Sequence, residues 1–260
     1  MNAIARFRVP ILAAVVVAAL GALGVGIVYP ADAPPAEAFE PFVFIHAGDT
    51  ELGRPDLKGT TERFAALAAR ANTIGPAFVL IAGDLLHDCD QEHLAAYEGV
   101  AKQFKMPVKV IRGNHDKADF YKKHFGADQY VYTFRNCDFI CLDSEEPLDP
   151  DTSQWKWLDA ALKDALAQKR THVFAAIHHP FDAKSKIADL LAKGGVEAVL
   201  CGHTHTTKEV AMKGFTMYIT PGTAKFRDGK GYAYRVFKVY KDRIEQELVP
   251  LEKEVRKAEL

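Results

Sequence analysis

Past its first forty residues the chain reads as one α/β domain that turns mostly β toward its C-terminus. Three observations predict this. Apolar runs of strand length alternate with stretches of helical periodicity. Polar residues able to bind metals recur just after the apolar runs, where open α/β sheets gather their active sites. No internal repeat and no linker-like stretch divides the region.

The elements follow in order. PFVFIHAGD (41–49) reads as a buried strand. TTERFAALAARANTIG (60–75) reads as a helix capped by Thr60, with Phe64, Leu67 and Ala68 on one face and Gly75-Pro76 as its stop. AFVLIAGD (77–84) is a second strand, and a helix starting near Asp90 carries Leu94, Tyr97, Ala101 and Phe104. PVKVIRGN (107–114) is a third strand, residues 117–135 read as a long loop, and NCDFICLDS (136–144) is a fourth strand. A helix opens at Asp151, where Gln154 suits a capping box, and its stripe is Trp155, Leu158, Leu162 and Ala165. HVFAAIH (172–178) is a strand, KIADLLAKGG (186–195) a helix with a glycine stop, and VEAVLCGH (196–203) a strand. The remainder reads as antiparallel β: EVAM and FTMYIT about Lys213-Gly214, then YAYRVFKVY (232–240) and IEQELVPL (244–251) about Lys241-Asp242.

Composition sets the outer bounds. The 260 residues carry 33 basic and 34 acidic side chains, a net charge of −1, with 48% hydrophobic residues. That is globular, and neither disordered nor collagen-like. The charge balance and the shortness of the basic stretches, such as Lys122-Lys123 and the acid-mixed Lys253–Lys257, argue against nucleic acid as a partner.

Residues 10–29, PILAAVVVAALGALGVGIVY, are uncharged, follow Arg6 and Arg8, and precede PADAPPAEA. Two readings stand. One is a signal peptide cleaved after Ala36-Glu37-Ala38. The other is an uncleaved membrane anchor, since the run can span a hydrocarbon core of ~30 Å. Either makes residues 1–38 a targeting segment with a short linker and places 39–260 outside the cytoplasm, periplasmic or secreted, as one domain. Cys89, Cys137, Cys141 and Cys201 lack the spacing of a structural zinc site. Export would permit disulfides, and the spacing does not choose among pairings. Cys141 and Cys201 read as buried thiols. Oligomeric state is not legible.

The chemistry lies in five strand ends: GDTE (48–51), GDLLHD (83–88), GNHD (113–116), IHHP (177–180) and GHTH (202–205). Asp, Asn and His are ligands for divalent ions, and glycine lets the backbone turn sharply beside one. Each motif alone is weak. A lone histidine is more often a satisfied side chain than a ligand, and His46, His87, His93, His124 and His172 are read that way. Together and in order, the five point to a two-metal clamp for attack on phosphorus.

This series resembles the calcineurin-like metallophosphoesterase superfamily, whose pattern runs DxH, GD, GNH(D/E), a histidine after an apolar strand, and GHxH. The resemblance extends over about residues 41–248, including VYTFRNCDFICLDSE and SQWKWLDAAL. It implies a four-layer α/β/β/α sandwich with two mixed β-sheets flanked by helices. It implies hydrolysis of a small phosphate ester, mono or di, by a hydroxide activated between two divalent ions. Residue by residue, Asp84 would bridge the ions, Asp49 and His205 would hold the first, and Asn114, His178 and His203 the second. His115 would protonate the leaving oxygen, oriented by Asp116. Glu51 stands where the pattern has histidine. As a ligand it makes the first position rich in carboxylate, favouring Mn²⁺ or Fe, with Mg²⁺ and Zn²⁺ possible. The contrary expectation is a weak or inactive metal- or phosphate-binding relative.

Overall fold

The strands next to the site are largely apolar on both faces because each face meets a different layer. Along β1 (Phe42–Ala47), Phe42 and Phe44 point one way and Ile45 and Ala47 the other. Phe42 and Phe44 join Phe78, Leu80, Phe139, Phe174, Leu200 and Phe237 between two sheets. Ile45 and Ala47 pack under helices with Phe64, Leu67, Leu94 and Tyr97. On the far side Ile140, Leu142, Ala175 and Val199 meet Leu158, Leu162 and Leu191. Three apolar interfaces between four layers, two of helices outside and two sheets inside, give the α/β/β/α sandwich. The computed structural model describes residues 39–224 and 226–251, which belong to a compact unit beginning at Phe39. The targeting segment expected over residues 1–38 lies outside the described residues.

The first sheet joins β1 in parallel to β2 (Phe78–Ile81), and β2 to β3 (Val108–Val110). Its other edge is antiparallel, through β10 (Ala233–Val239) and β11 (Ile244–Pro250), giving the order β11-β10-β1-β2-β3. The second sheet orders β4 (Tyr130–Phe134), β5 (Cys137–Leu142), β6 (His172–Ile177), β7 (Ala198–Cys201), β9 (Thr216–Ile219) and β8 (Lys208–Ala211). The helices are α1 (Leu57–Ile74), α2 (Gln91–Ala101), α3 (Ala118–His124), α4 (Ser153–Ala167) and α5 (Lys186–Lys193).

Several local expectations change. Helix α1 starts before Thr60: Asp56 is the cap and accepts from the Gly59 N–H, while Gly75 ends the helix in the left-handed region as expected. Thr60 instead accepts from the Gly53 N–H and donates to the Asp56 carbonyl. Thr152, not Asp151, caps α4. Gln154 forms no capping box; its buried amide bonds both the N–H and the carbonyl of Asp143. Residues 117–135 are not one loop but contain α3 and β4. Both expected C-terminal hairpins form, β8 with β9 and β10 with β11, but in different sheets: β9 also pairs with β7 in parallel, and β10 with β1.

Phe44 sits where the layers meet. Its ring stacks on Phe78 and Phe237 at 5.2 and 4.7 Å, and meets Phe139 edge-on at 5.1 Å. This packing holds β1 and β2 side by side, and with them the loops that follow. Phe44→Ala is expected to cost about 3–5 kcal/mol, seen as a lower denaturant midpoint with unchanged slope.

Candidate metal centre

The site is built at the C-terminal ends of β1, β2, β3, β6 and β7. Asp49 follows β1 and is buried, and its carbonyl accepts from the N–H groups of Thr223 and Ala224. Gly222 makes that approach possible: with φ of 75°, an added Cβ would lie 2.4 Å from the Asp49 oxygen. The Asp49 carboxylate accepts from the His203 N–H at 3.0 and 3.1 Å. Asp84, after β2, accepts from the His115 N–H at 2.9 Å, and its other oxygen lies 3.2 Å from His178 Nε2. Gly113 leaves room for this carboxylate, since a Cβ there would come within 2.3 Å of it.

His178 follows β6, fully buried. Its Nδ1 is 2.7 Å from the Ala82 carbonyl, which fixes that nitrogen as the donor and turns Nε2 toward Asp84, Asn114 and Asp49. Three imidazoles converge on Asn114 Oδ1: His203 at 2.9 Å, His179 at 3.0 Å and His178 at 3.2 Å.

Glu51 lies on the other side. Its N–H donates to the Asp84 carbonyl, and its side chain is fully buried. Oε1 is 3.3 Å from His87 Nδ1, 3.3 Å from His115 Nε2 and 3.0 Å from Arg54 Nη1. Oε2 faces His205 Nε2 at 3.6 Å and has no hydrogen-bond partner.

Backbone conformation marks the same residues. Among the described residues, six non-glycine positions have positive φ, and Glu51, Asp84, His203 and His205 are four of them. Such conformations cost of order 1–3 kcal/mol each and collect at functional sites.

Two expectations are corrected. Asp116 does not face the His115 ring. Its buried carboxylate accepts from the N–H groups of Leu85, Leu86 and Gly113, so it ties the β2 and β3 loops together. The carboxylate beside the His115 ring is Glu51. His87, read as a satisfied histidine, is in the site. Of the other readings of that kind, His93 is bonded to Asp90 and His172 to Glu197 and the Tyr240 carbonyl, while His46 bonds Thr220 through Nδ1 and leaves its buried Nε2 without a hydrogen bond. Arg112, at the end of β3, is buried and paired with Asp143 at 2.8 Å. Only the spacing of His87, three residues past Asp84, could have drawn it into the site. The four cysteines are free, with Cys137, Cys141 and Cys201 buried.

Electrostatics say what the cluster lacks. Burial pushes the Asp49 carboxyl up to about 8; the charge of His178 opposes this and that of Asp84 adds to it. Burial would also raise Asp84, but the hydrogen bond and charge of His178 outweigh it and hold it below the usual carboxylate range. His178 itself rises to about 9, since Asp84 and Asp49 outweigh its burial. His203 falls to about 4 through burial and the charges of His179 and His178. Buried acids at this density call for cations. The donor set fits them: neighbouring ligands on an ion with bonds of ~2.1 Å lie roughly 3.0–3.4 Å apart, close to the 2.9 to 3.6 Å found around Asn114 and Glu51. The ligand atoms of Asp49, Asp84 and His178 lie within 4.8 Å of one another, and Glu51, His87 and His115 form a second such group.

Residues 40–207 match the model of the calcineurin-like phosphoesterases. The chain is 26% identical over 192 residues to a "probable cyclic nucleotide phosphodiesterase" of Rhodopseudomonas palustris, covering 63% of this chain and 70% of that one. It is 28% identical over 167 residues to the tartrate-resistant acid phosphatase type 5 of Oryctolagus cuniculus, covering 59% of this chain and half of the relative. Its fold overlays that of a dimetal phosphatase from Danio rerio with a TM-score of 0.67 at 14% identity, over 81% of this chain and 96% of the other. The chain belongs to the calcineurin-like phosphoesterases, enzymes that hydrolyse phosphate esters.

Ligation requires unprotonated donors, so at pH 7 an ion must displace the protons of Asp49 and His178. Metal affinity therefore rises with pH until both pKa values are passed. Calorimetric titration of stripped protein with Mn²⁺ in two buffers of different ionisation enthalpy should record net proton release at pH 7, and less at pH 9.

Proposed function

We propose that this chain hydrolyses small, soluble phosphate esters with two divalent ions. The observation carrying this reading is the convergence of Asp49, Asp84, Asn114, His178, His203 and His205 from five separate strand ends. Asp84 lies between the two donor groups, which suits a bridging ligand. Asp49, Glu51, Asp84 and His205 would hold the first ion; Asp84, Asn114, His178 and His203 the second. The carboxylate-rich first position suits Mn²⁺ or Fe. Bound there, two such ions supply Lewis acidity toward water and phosphate.

The chain's own groups do the rest. Asn114 is exposed at the mouth, where its amide can meet a phosphate oxygen. Asp84 holds the His115 backbone at 2.9 Å, and the ring, about a quarter exposed, can pass a proton to the departing oxygen. Glu51 Oε1 lies 3.3 Å from that ring's Nε2 and can help orient it. Arg112, committed to Asp143, is left out of phosphate binding. Glu51 sits among the donors rather than pointing away, which favours the enzyme over an inactive binding relative.

The relatives named above include both a phosphodiesterase and a phosphatase, so both ester types are candidate substrates. On the sequence alone, residues 10–29 are proposed to direct export; the mass of the purified protein distinguishes cleavage before Phe39 from a retained anchor.

The test is turnover of p-nitrophenyl phosphate and bis-p-nitrophenyl phosphate after stripping and adding back Mn²⁺. His115→Ala should keep its metal and lose about 10²–10⁴-fold in kcat. Wild-type turnover in that variant would remove His115 from the reaction.

A further inference from the structure

Histidine is missing where the first motif expects it, and a histidine from elsewhere stands beside the gap. Residues 51–52 and 84–87 run together as a strap. The Glu51 N–H donates to the Asp84 carbonyl at 2.7 Å, Leu52 to Leu85 at 3.2 Å, and His87 back to Leu52 at 2.9 Å. Leu52 and Leu86 form an isolated parallel bridge, and Asp116 accepts from the Leu85 and Leu86 N–H groups from beneath. Asp84, Glu51 and His87 therefore share one braced unit, and His87 cannot be shifted without shifting Asp84.

The side-chain atoms on that strap are oddly unsatisfied. His87 Nδ1 is buried and makes no hydrogen bond, though Glu51 Oε1 is only 3.3 Å away. Glu51 Oε2 is also without a hydrogen bond, in a side chain of zero exposure. His87 Nδ1 thus faces Glu51 Oε1, which Arg54 Nη1 already reaches at 3.0 Å, without bonding it, and Oε2 is left without a partner; side chains so placed suit neighbours around a third centre. Their spacing is that of adjacent ligands on one ion with bonds of ~2.1 Å. His205 approaches the same carboxylate from the other oxygen. An ordinary histidine–glutamate pair would align its N–H on the oxygen, as His172 does with Glu197 at 2.8 Å.

We propose that His87 is a ligand of the first metal position, joining Asp49, Glu51, Asp84 and His205. This rests on the two-metal reading above. Position 87 then supplies the imidazole that position 51 does not, and the extra carboxylate raises the ligand number. A site of this kind takes a divalent ion that accepts five or six mixed oxygen and nitrogen ligands, such as Mn²⁺, Fe²⁺ or Co²⁺. It also separates the two histidines around Glu51: His87 goes to the ion and His115 keeps its proton for transfer.

The probe is Co²⁺, whose visible absorption reports the number and type of its ligands. Stripped wild type, His87→Ala and the control His93→Ala are titrated with Co²⁺, following heat and absorbance. His93 pairs with Asp90 at the start of α2 and is outside the site. His87→Ala should bind its second equivalent at least about 10-fold more weakly, with changed band positions, while His93→Ala matches wild type. In the proton spectrum of the Co²⁺ protein, one shifted, exchangeable imidazole N–H signal should vanish in His87→Ala. Circular dichroism checks the fold; His87→Gln, which keeps bulk but not the imidazole, should lose the same signal. Two ions bound by His87→Ala with wild-type affinity and spectrum would overturn this assignment and leave the two-metal reading intact. Wild type that binds no Co²⁺ would overturn both.

Discussion

Asp49 and Asp84 are held together inside the protein, with their ligand atoms within 4.8 Å of each other and of His178. Two buried carboxylates repel, and burial pushes Asp49 up to about 8. The protonated imidazole of His178, which those same acids raise to about 9, relieves this in part, as do the His203 and His115 N–H groups that donate to the two carboxylates. Positive charge between them is the constraint on which the rest of the structure depends. The left-handed backbone at Glu51, Asp84, His203 and His205 and the crowded glycines at 113 and 222 all serve to keep the donors pointing inward.

The sandwich makes that possible at a distance. Stacked rings of Phe44, Phe78 and Phe237 fix the register of the first sheet, and Phe139 on Phe174, at 4.6 Å, does the same in the second. The two sets meet edge-on across the middle layer. Strand ends from both sheets are thereby brought to one rim. The loops are then tied to one another rather than left to pack loosely. Asp116 binds three backbone N–H groups from two loops, and Arg112 reaches from Asp143 to the Asp116 carbonyl.

Much of this was legible in the sequence, and the part that was not has a physical reason. Apolar runs marked the strands that line the site, because β1, β2, β6 and β7 are buried on both faces and β3 continues into buried Ile111. The metal donors were readable because each follows such a run directly. Asp116 was misassigned because adjacency in sequence to His115 suggests contact, whereas the turn after Gly113 sends its side chain to the Leu85 loop. His87 was passed over for the opposite reason: a histidine in a loop carries no periodicity, and only the strap between residues 52 and 87 brings it to Glu51. The division of the C-terminal strands between sheets depends on pairing with β1 and β7, which local pattern does not encode.

The claim that ties these features together is that the cluster exists to hold two cations. Anomalous scattering from crystals grown with Mn²⁺ tests it directly. The account predicts two strong peaks: one among Asp49, Glu51, Asp84 and His205, the other among Asp84, Asn114, His178 and His203. Crystals grown with excess Mn²⁺ that show no peak at these residues would contradict it.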